Sequence, residues 1–252
     1  MSDWLDSWLI TLLFAASMTI TWYLGRRFGR HLYPEPGEDP GMKFTDASVA
    51  LLGLLLAFTF SMSLGRHDQR RLAVVAESNA IGDFYTCASL LKEPKRSQLQ
   101  VVIREYAQLQ LQKWHEPFDA AAEEQAIQKS QRMQAQMTEM VAQAVEGTSI
   151  AVPLTNTLNN LTSTYASRVA AYDEGLPWSI VLLLFLSSVV PAFLIGMKQE
   201  QTRQVHLAGT FSFIVLVSLV VFVILDLNQP HRGLIHVSGQ PLERVLQSLG
   251  SG

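Results

Sequence analysis

Hydrophobic positions fall into four long apolar runs, with a long stretch of helical periodicity between the second and the third. The first run extends from Ser7 to Gly25, between Asp6 and Arg26, and the second lies between Asp46 and Arg66. The third lies between Glu174 and Lys198 and the fourth between His206 and Asp226. About twenty apolar residues at about 1.5 Å each cross a hydrocarbon core of about 30 Å, so each run is predicted to be a membrane span. The second run differs from the others. No proline follows it until Pro94, so its helix is expected to leave the bilayer unbroken and continue to Leu91.

Between Arg66 and Gly175 the period stays helical while the composition turns polar. Ile81, Phe84, Tyr85, Ala88 and Leu91 mark one stripe, and Leu99, Val102, Ile103, Tyr106 and Leu109 the next. Pro117 opens a helix striped by Met133, Met137, Met140, Val141 and Ala144. Pro153 opens the last, with Leu158, Leu161, Tyr165, Val169 and Tyr172. Such narrow stripes bury one face each, against one another or against another subunit. The methionine-rich stripe reads as adaptable core. Eleven Lys/Arg and thirteen Asp/Glu are interleaved here, a pattern read as a solvated surface. Pro191 inside the third span is expected to kink it. After the fourth span, Leu234 to Val237 is read as a short extended segment and Ser238 as the cap of a small helix containing Pro241 and Glu243.

The expected architecture is therefore all-α: four transmembrane helices with a long extramembrane helical bundle inserted between the second and third. The boundaries are 1–65 for spans one and two, 66–176 for the bundle, 177–227 for spans three and four, and 228–252 for the tail. Acidic Asp3 and Asp6 precede the first run and no clean small-x-small cleavage site precedes the arginines, so it reads as a retained span and not a signal peptide. Trp4, Trp8, Trp22 and Tyr23 sit near its ends, as aromatic residues do at a bilayer interface. Arg26, Arg27, Arg30, Lys43, Lys198 and Arg203 crowd the two short connections. The positive-inside rule then makes those connections cytoplasmic and the bundle periplasmic.

Composition narrows the function. With 16% charged and 48% hydrophobic residues and a net charge of −3, the chain has no basic surplus for nucleic acid. Six histidines are scattered without cysteine or carboxylate partners at ligand spacing, so no metal site is predicted. There is no phosphate loop and no nucleophile–base pattern, so neither a cofactor nor enzyme chemistry is predicted. Cys87, the one cysteine, reads as a small buried side chain.

Two groups of residues remain as candidates. Gly53, Ala57, Ser61 and Gly65 recur every fourth residue along the second span. Such a stripe lets another backbone approach closely, or forms a pore wall with Ser61, Ser63 and Thr59 offering hydroxyls. The second group is ionisable and lies at the membrane edge. Asp226 ends the fourth span, and Arg66, His67 and Arg232 lie on its side of the bilayer, while Asp46 lies on the other. A carboxylate there is expected either to be solvated by headgroup water at the surface, or to anchor the tail or mark an ion path.

The run GLLLAFTFSMSLGRHDQRRLAVVAESNAIGDFY, the tail LDLNQPHRGLIHVSGQPL and the four-span layout together resemble the bacterial bestrophin-like membrane proteins. The matching blocks are Gly53 to Phe60, Arg66 to Arg71, Glu77 to Gly82, and Asp226 to Gly233. The resemblance implies a homo-oligomer in the bacterial inner membrane, an ion channel handling inorganic ions in contact with the lipid bilayer. The aromatic-lined neck and acidic calcium clasp of true bestrophins are not seen in the sequence. A non-conducting scaffold or sensor, whose helical domain binds a protein partner, is the competing expectation.

Overall fold

The structure is a computed structural model, and it describes residues 7–32, 42–115, 120–146, 148–202, 204–229 and 234–250. Among them are eight α-helices and no strand. They are α1 (Ser7–Leu32), α2 (Met42–Ala88), α3 (Lys95–His115), α4 (Ala120–Ala144), α5 (Ala151–Asp173), α6 (Trp178–Gln201), α7 (Leu207–Asn228) and α8 (Gln240–Gly250). Among the described residues, four helices are long and apolar enough to cross a membrane. The second continues without interruption through Arg66 to Ala88, since no proline or glycine pair breaks its hydrogen-bond ladder.

Two helices run past the charges that bound their apolar runs in the sequence. α1 runs past Gly25 through Arg26, Arg27 and Arg30. α6 likewise passes through the buried Pro191 and extends over Lys198 to Gln201. Pro117 lies outside the described residues. Pro153 occupies the first turn of α5, where a missing N–H is tolerated because no intrahelical acceptor awaits it. Residues 234–237 form no ladder. The Ser238 hydroxyl accepts the Gln240 N–H at 3.2 Å just ahead of α8.

The chain divides into two compact units. One contains residues up to Arg66, Gly175–Gln229 and 234–235. The other contains His67–Glu174 and the tail from His236. In the first, Phe14, Met18, Leu52, Leu56, Leu184, Val217 and Ile224 form the core. Helices immersed in lipid gain little from burying such side chains, so close backbone packing and polar contacts decide how they associate.

The second unit is a helical bundle in which each fully buried Phe84, Ile103 or Met137 contributes about 1.5–3 kcal/mol if the unit is bathed in water. Its core positions alternate spacings of four and three. They run Arg70, Val74, Glu77, Ile81, Phe84 on α2 and Leu99, Ile103, Tyr106, Gln110 on α3. On α4 they are Ser130, Gln134, Met137, Val141 and Ala144, and on α5 Leu154, Leu158, Leu161, Tyr165 and Arg168. Every one of them is buried. This is the seam of bundles whose helices cross at shallow angles. Cys87 is buried in the same core. The amphipathic α8 joins it through Leu242 and Leu249.

Candidate functional site

The membrane half of α2 has two dissimilar faces. Leu52, Leu56, Thr59 and Ser63 are buried, whereas Gly53, Ala57, Ser61 and Gly65 are exposed. At about 100° per residue the two sets are centred roughly 150° apart on the helix. A Cβ built on Gly53 or Gly65 meets no atom within 4 Å. The three hydroxyls grouped in the sequence therefore separate. Ser61 lies on the open face, while Thr59 donates to the Leu55 carbonyl of its own helix at 2.7 Å and Ser63 is fully buried.

Close backbone approach occurs elsewhere, between α1 and α6. A Cβ on Gly25 would lie 2.1 Å from the Phe193 carbonyl oxygen, and one on Gly196 would lie 2.2 Å from the Trp22 carbonyl oxygen. Gly29 meets the Met197 backbone at 3.1 Å in the same way. Gly25 and Gly29 are one helical turn apart, the small-xxx-small spacing that joins helices in lipid. Beside this contact Arg26 Nη2 reaches Glu200 Oε2 at 3.2 Å and Arg30 Nε reaches Glu200 Oε1 at 3.0 Å. Trp22 Nε1 donates to Gln199 Oε1 at 3.2 Å, and Gln199 Nε2 to the Thr210 hydroxyl at 2.7 Å, which brings in α7. Three of the charges in this cluster flank the span ends in sequence, yet they sit inside helices.

At the end of α7, Asp226 is only 4% exposed. Its Oδ1 accepts the Leu234 N–H and its Oδ2 the Ile235 N–H, both at 2.9 Å. The carboxylate is thus held by two successive backbone donors of the tail. Arg66 is half-buried at the last position of the first unit, and His67 begins the second, where both its ring nitrogens are buried. Arg232 lies outside the described residues. Asp46 is exposed near the start of α2.

The centre of the second unit holds a polar network that the interleaved charges concealed. Three of them are not solvated surface, contrary to the expectation from their interleaving. Arg70 is 1% exposed, Glu77 0% and Arg168 4%. Arg168 Nε pairs with Glu77 Oε2, and Arg168 Nη2 donates to Gln110 Oε1 at 2.7 Å. The Tyr106 hydroxyl donates to Glu77 Oε1 at 3.1 Å and accepts from Gln134 Nε2 at 3.2 Å. Gln110 Nε2 donates to the Ser130 hydroxyl at 2.9 Å. Trp114 and Tyr165 stack on the guanidinium, with centroids 5.6 and 5.4 Å away. Helices α2, α3, α4 and α5 each supply a member.

Burial opposes the Arg168 cation, but the Glu77 charge and their hydrogen bond outweigh it and raise its pKa. Burial, aided by the Glu77 charge, pushes the Tyr106 phenol well above its ordinary range, so it stays a donor. Separately, Arg70 donates to the Ala171 carbonyl at 3.1 Å and the Glu174 carbonyl at 2.9 Å, closing the C-terminus of α5. The signal for all three residues was their register. Each occupies a position in phase with buried apolar neighbours.

This geometry can be set beside known proteins. A family model described as the bestrophin-like domain matches residues 11–242. The chain belongs to the bestrophin-like family. A bacterial bestrophin homologue from Klebsiella pneumoniae, solved as a leucine-to-threonine variant, superimposes with a TM-score of 0.68. It shares 14% identity, over 96% of this chain and 98% of that one. The crystal structure of a membrane protein with a proline-to-alanine substitution gives 0.70 at 12% identity, over 96% of each chain. None of the curated proteins matches. The likeness to the solved structures is one of fold. The family match and the four apolar helices of spanning length support a multi-pass membrane protein. The blocks that carried the family resemblance contain residues with structural tasks here. They include Arg70, Glu77, Asp226 and Gly82, where a Cβ would press on Val245 of α8 at 3.3 Å.

Proposed function

We propose that this chain assembles into an oligomeric, pore-forming membrane protein in which α2 lines the path of inorganic ions. The second unit then serves as an extramembrane bundle inserted between the second and third spans. The observation that carries this reading is the open face of α2. A stripe of glycine, alanine and serine runs exposed along a predicted span, with no described residue within 4 Å of a Cβ on Gly53 or Gly65, while the opposite face is packed. Small side chains suit either contact with another subunit or a water-filled wall, and both require further copies of the chain. The family resemblance supports the same reading, since the bestrophin label implies an oligomeric ion channel. Asp226, with Arg66, His67 and Arg232, remains the proposed anchor of the tail near the mouth of that path.

Planar-bilayer recording of the purified oligomer tests the proposal. Reproducible unitary currents are expected. Silence across ions, pH and voltage from an intact oligomer would instead assign the chain to the scaffold or sensor class. Gly53→Leu and Ala57→Leu divide the two roles of the stripe: loss of native mass marks it as the subunit contact. Native mass with reduced conductance marks it as the pore wall, and no change in either removes α2 from both roles.

The orientation we propose puts the short connections in the bacterial cytoplasm and the bundle in the periplasm, with the chain in the inner membrane. It rests on Arg26, Arg27, Arg30, Lys43, Lys198 and Arg203, which count toward the positive-inside rule even where Glu200 pairs with them. Gln128 is exposed on α4. In a Cys87→Ala background, Gln128→Cys is expected to react with an impermeant maleimide on intact spheroplasts. Labelling only after lysis would reverse the orientation.

A further inference from the structure

The last turn of α7 carries two side chains that bind different parts of the backbone. Asp226 accepts the Leu234 and Ile235 N–H groups at 2.9 Å each. Two positions on, Asn228 Oδ1 accepts the Leu176 N–H at 2.8 Å. At about 100° per residue, these two side chains leave nearly opposite sides of the helix. Leu176 lies in the link from α5 to α6, and residues 234–235 lie in the link from α7 to α8. All five residues belong to the first unit, each within about one helical turn of a place where the chain changes units.

We propose that Asp226 and Asn228 form a double clamp that fastens both links to the end of α7, so that loosening either link is felt at the other. The chemistry favours fixed links over loose ones. A carboxylate accepting two consecutive backbone donors makes charge-assisted bonds, stronger than neutral ones, and its burial excludes competing water. The Asn228 amide oxygen supplies a neutral acceptor to Leu176, which is part-buried against the first unit's core. The Gln229 N–H donates to the Asp226 carbonyl at 3.1 Å, closing α7 at the same turn. Fraying this turn therefore moves both acceptors together. The two links share one mechanical support, the physical condition for coupling between them. The clamp does not depend on ion conduction.

Amide hydrogen exchange of the full chain in lipid nanodiscs tests the clamp. In the unaltered protein the Leu176, Leu234 and Ile235 amides are expected to exchange slowly and at similar rates. Asp226→Asn replaces one acceptor oxygen with a donor. It should speed Leu234 and Ile235 about tenfold or more, and Leu176 by a smaller but measurable factor. Asn228→Ala should do the converse. Asn228→Asp, which keeps an acceptor oxygen, should leave Leu176 protected. Acceleration confined to the amides bonded to the substituted residue would overturn the coupling and leave two independent bonds. Unchanged exchange at all three amides would overturn the clamp itself. Core amides of Ile103 and Leu161 report on global unfolding. If Asp226→Asn speeds these equally, the Asn228 pair of variants decides the question.

Discussion

Gly196→Ala is expected to destabilise the protein by ~3 kcal/mol or more, through the addition of a single methyl group. The new Cβ would fall 2.2 Å from the Trp22 carbonyl oxygen and 3.0 Å from the Arg26 nitrogen. Both are backbone atoms of α1, so no rotamer change relieves the clash and the helices must part. Parting them by about an ångström, which ordinary van der Waals separation demands, also stretches the polar contacts beside the glycines. The Arg26–Glu200 and Trp22–Gln199 bonds, both already 3.2 Å, would leave hydrogen-bonding range. Glu200 is nearly buried, so its loss of a partner adds to the packing cost. Gly209→Ala on α7 is the control, because its added methyl meets nothing closer than 4.0 Å. It should be neutral or stabilise by roughly 0.5–1 kcal/mol, as alanine does in a helix. Thermal unfolding of the detergent-solubilised protein measures both. Equal melting of Gly196→Ala and Gly209→Ala would show that α1 and α6 separate without penalty.

The second large effect lies in the bundle. Arg168→Met should cost about 3–5 kcal/mol, because it leaves Glu77 buried without its cation and Gln110 without a donor. That is a large share of the roughly 5–15 kcal/mol that keeps a domain folded. The double substitution Glu77→Gln with Arg168→Met removes both charges and should restore at least half of the loss, because buried pairs replaced together are often near neutral. Denaturant unfolding followed by helix content reads the difference. If the double variant is no more stable than the single one, the cost comes from packing around the guanidinium, where Trp114 and Tyr165 stack. A single variant within ~0.5 kcal/mol of the parent would mean that water enters the network and solvates Glu77.

What the sequence determined by itself was whatever depends on neighbours along one helix. Four apolar runs of sufficient length mark four candidate spans wherever they are placed, because each backbone satisfies its own hydrogen bonds in lipid. The stripes of Ile81, Phe84, Ile103, Met137 and Leu161 foretold buried helix faces, because a 3.6-residue period puts them on one side. Asp226 drew notice because a charge directly follows an apolar run. Only the tertiary structure decided which small residues touch a backbone. Gly53 and Gly65 have a contact spacing yet meet nothing among the described residues, while Gly25 and Gly196 are pressed against a neighbouring helix. A missing side chain creates room, and only the partner helix determines whether the room is used. The arginines beside Gly25 masked its role by looking like the end of a span. The same holds for charge. Glu77 and Arg168 stand 91 positions apart, and either alone would be far cheaper in water than in a core. Folding brings them to one point, where attraction and hydrogen bonds offset the lost hydration, and no local pattern of charges encodes that meeting.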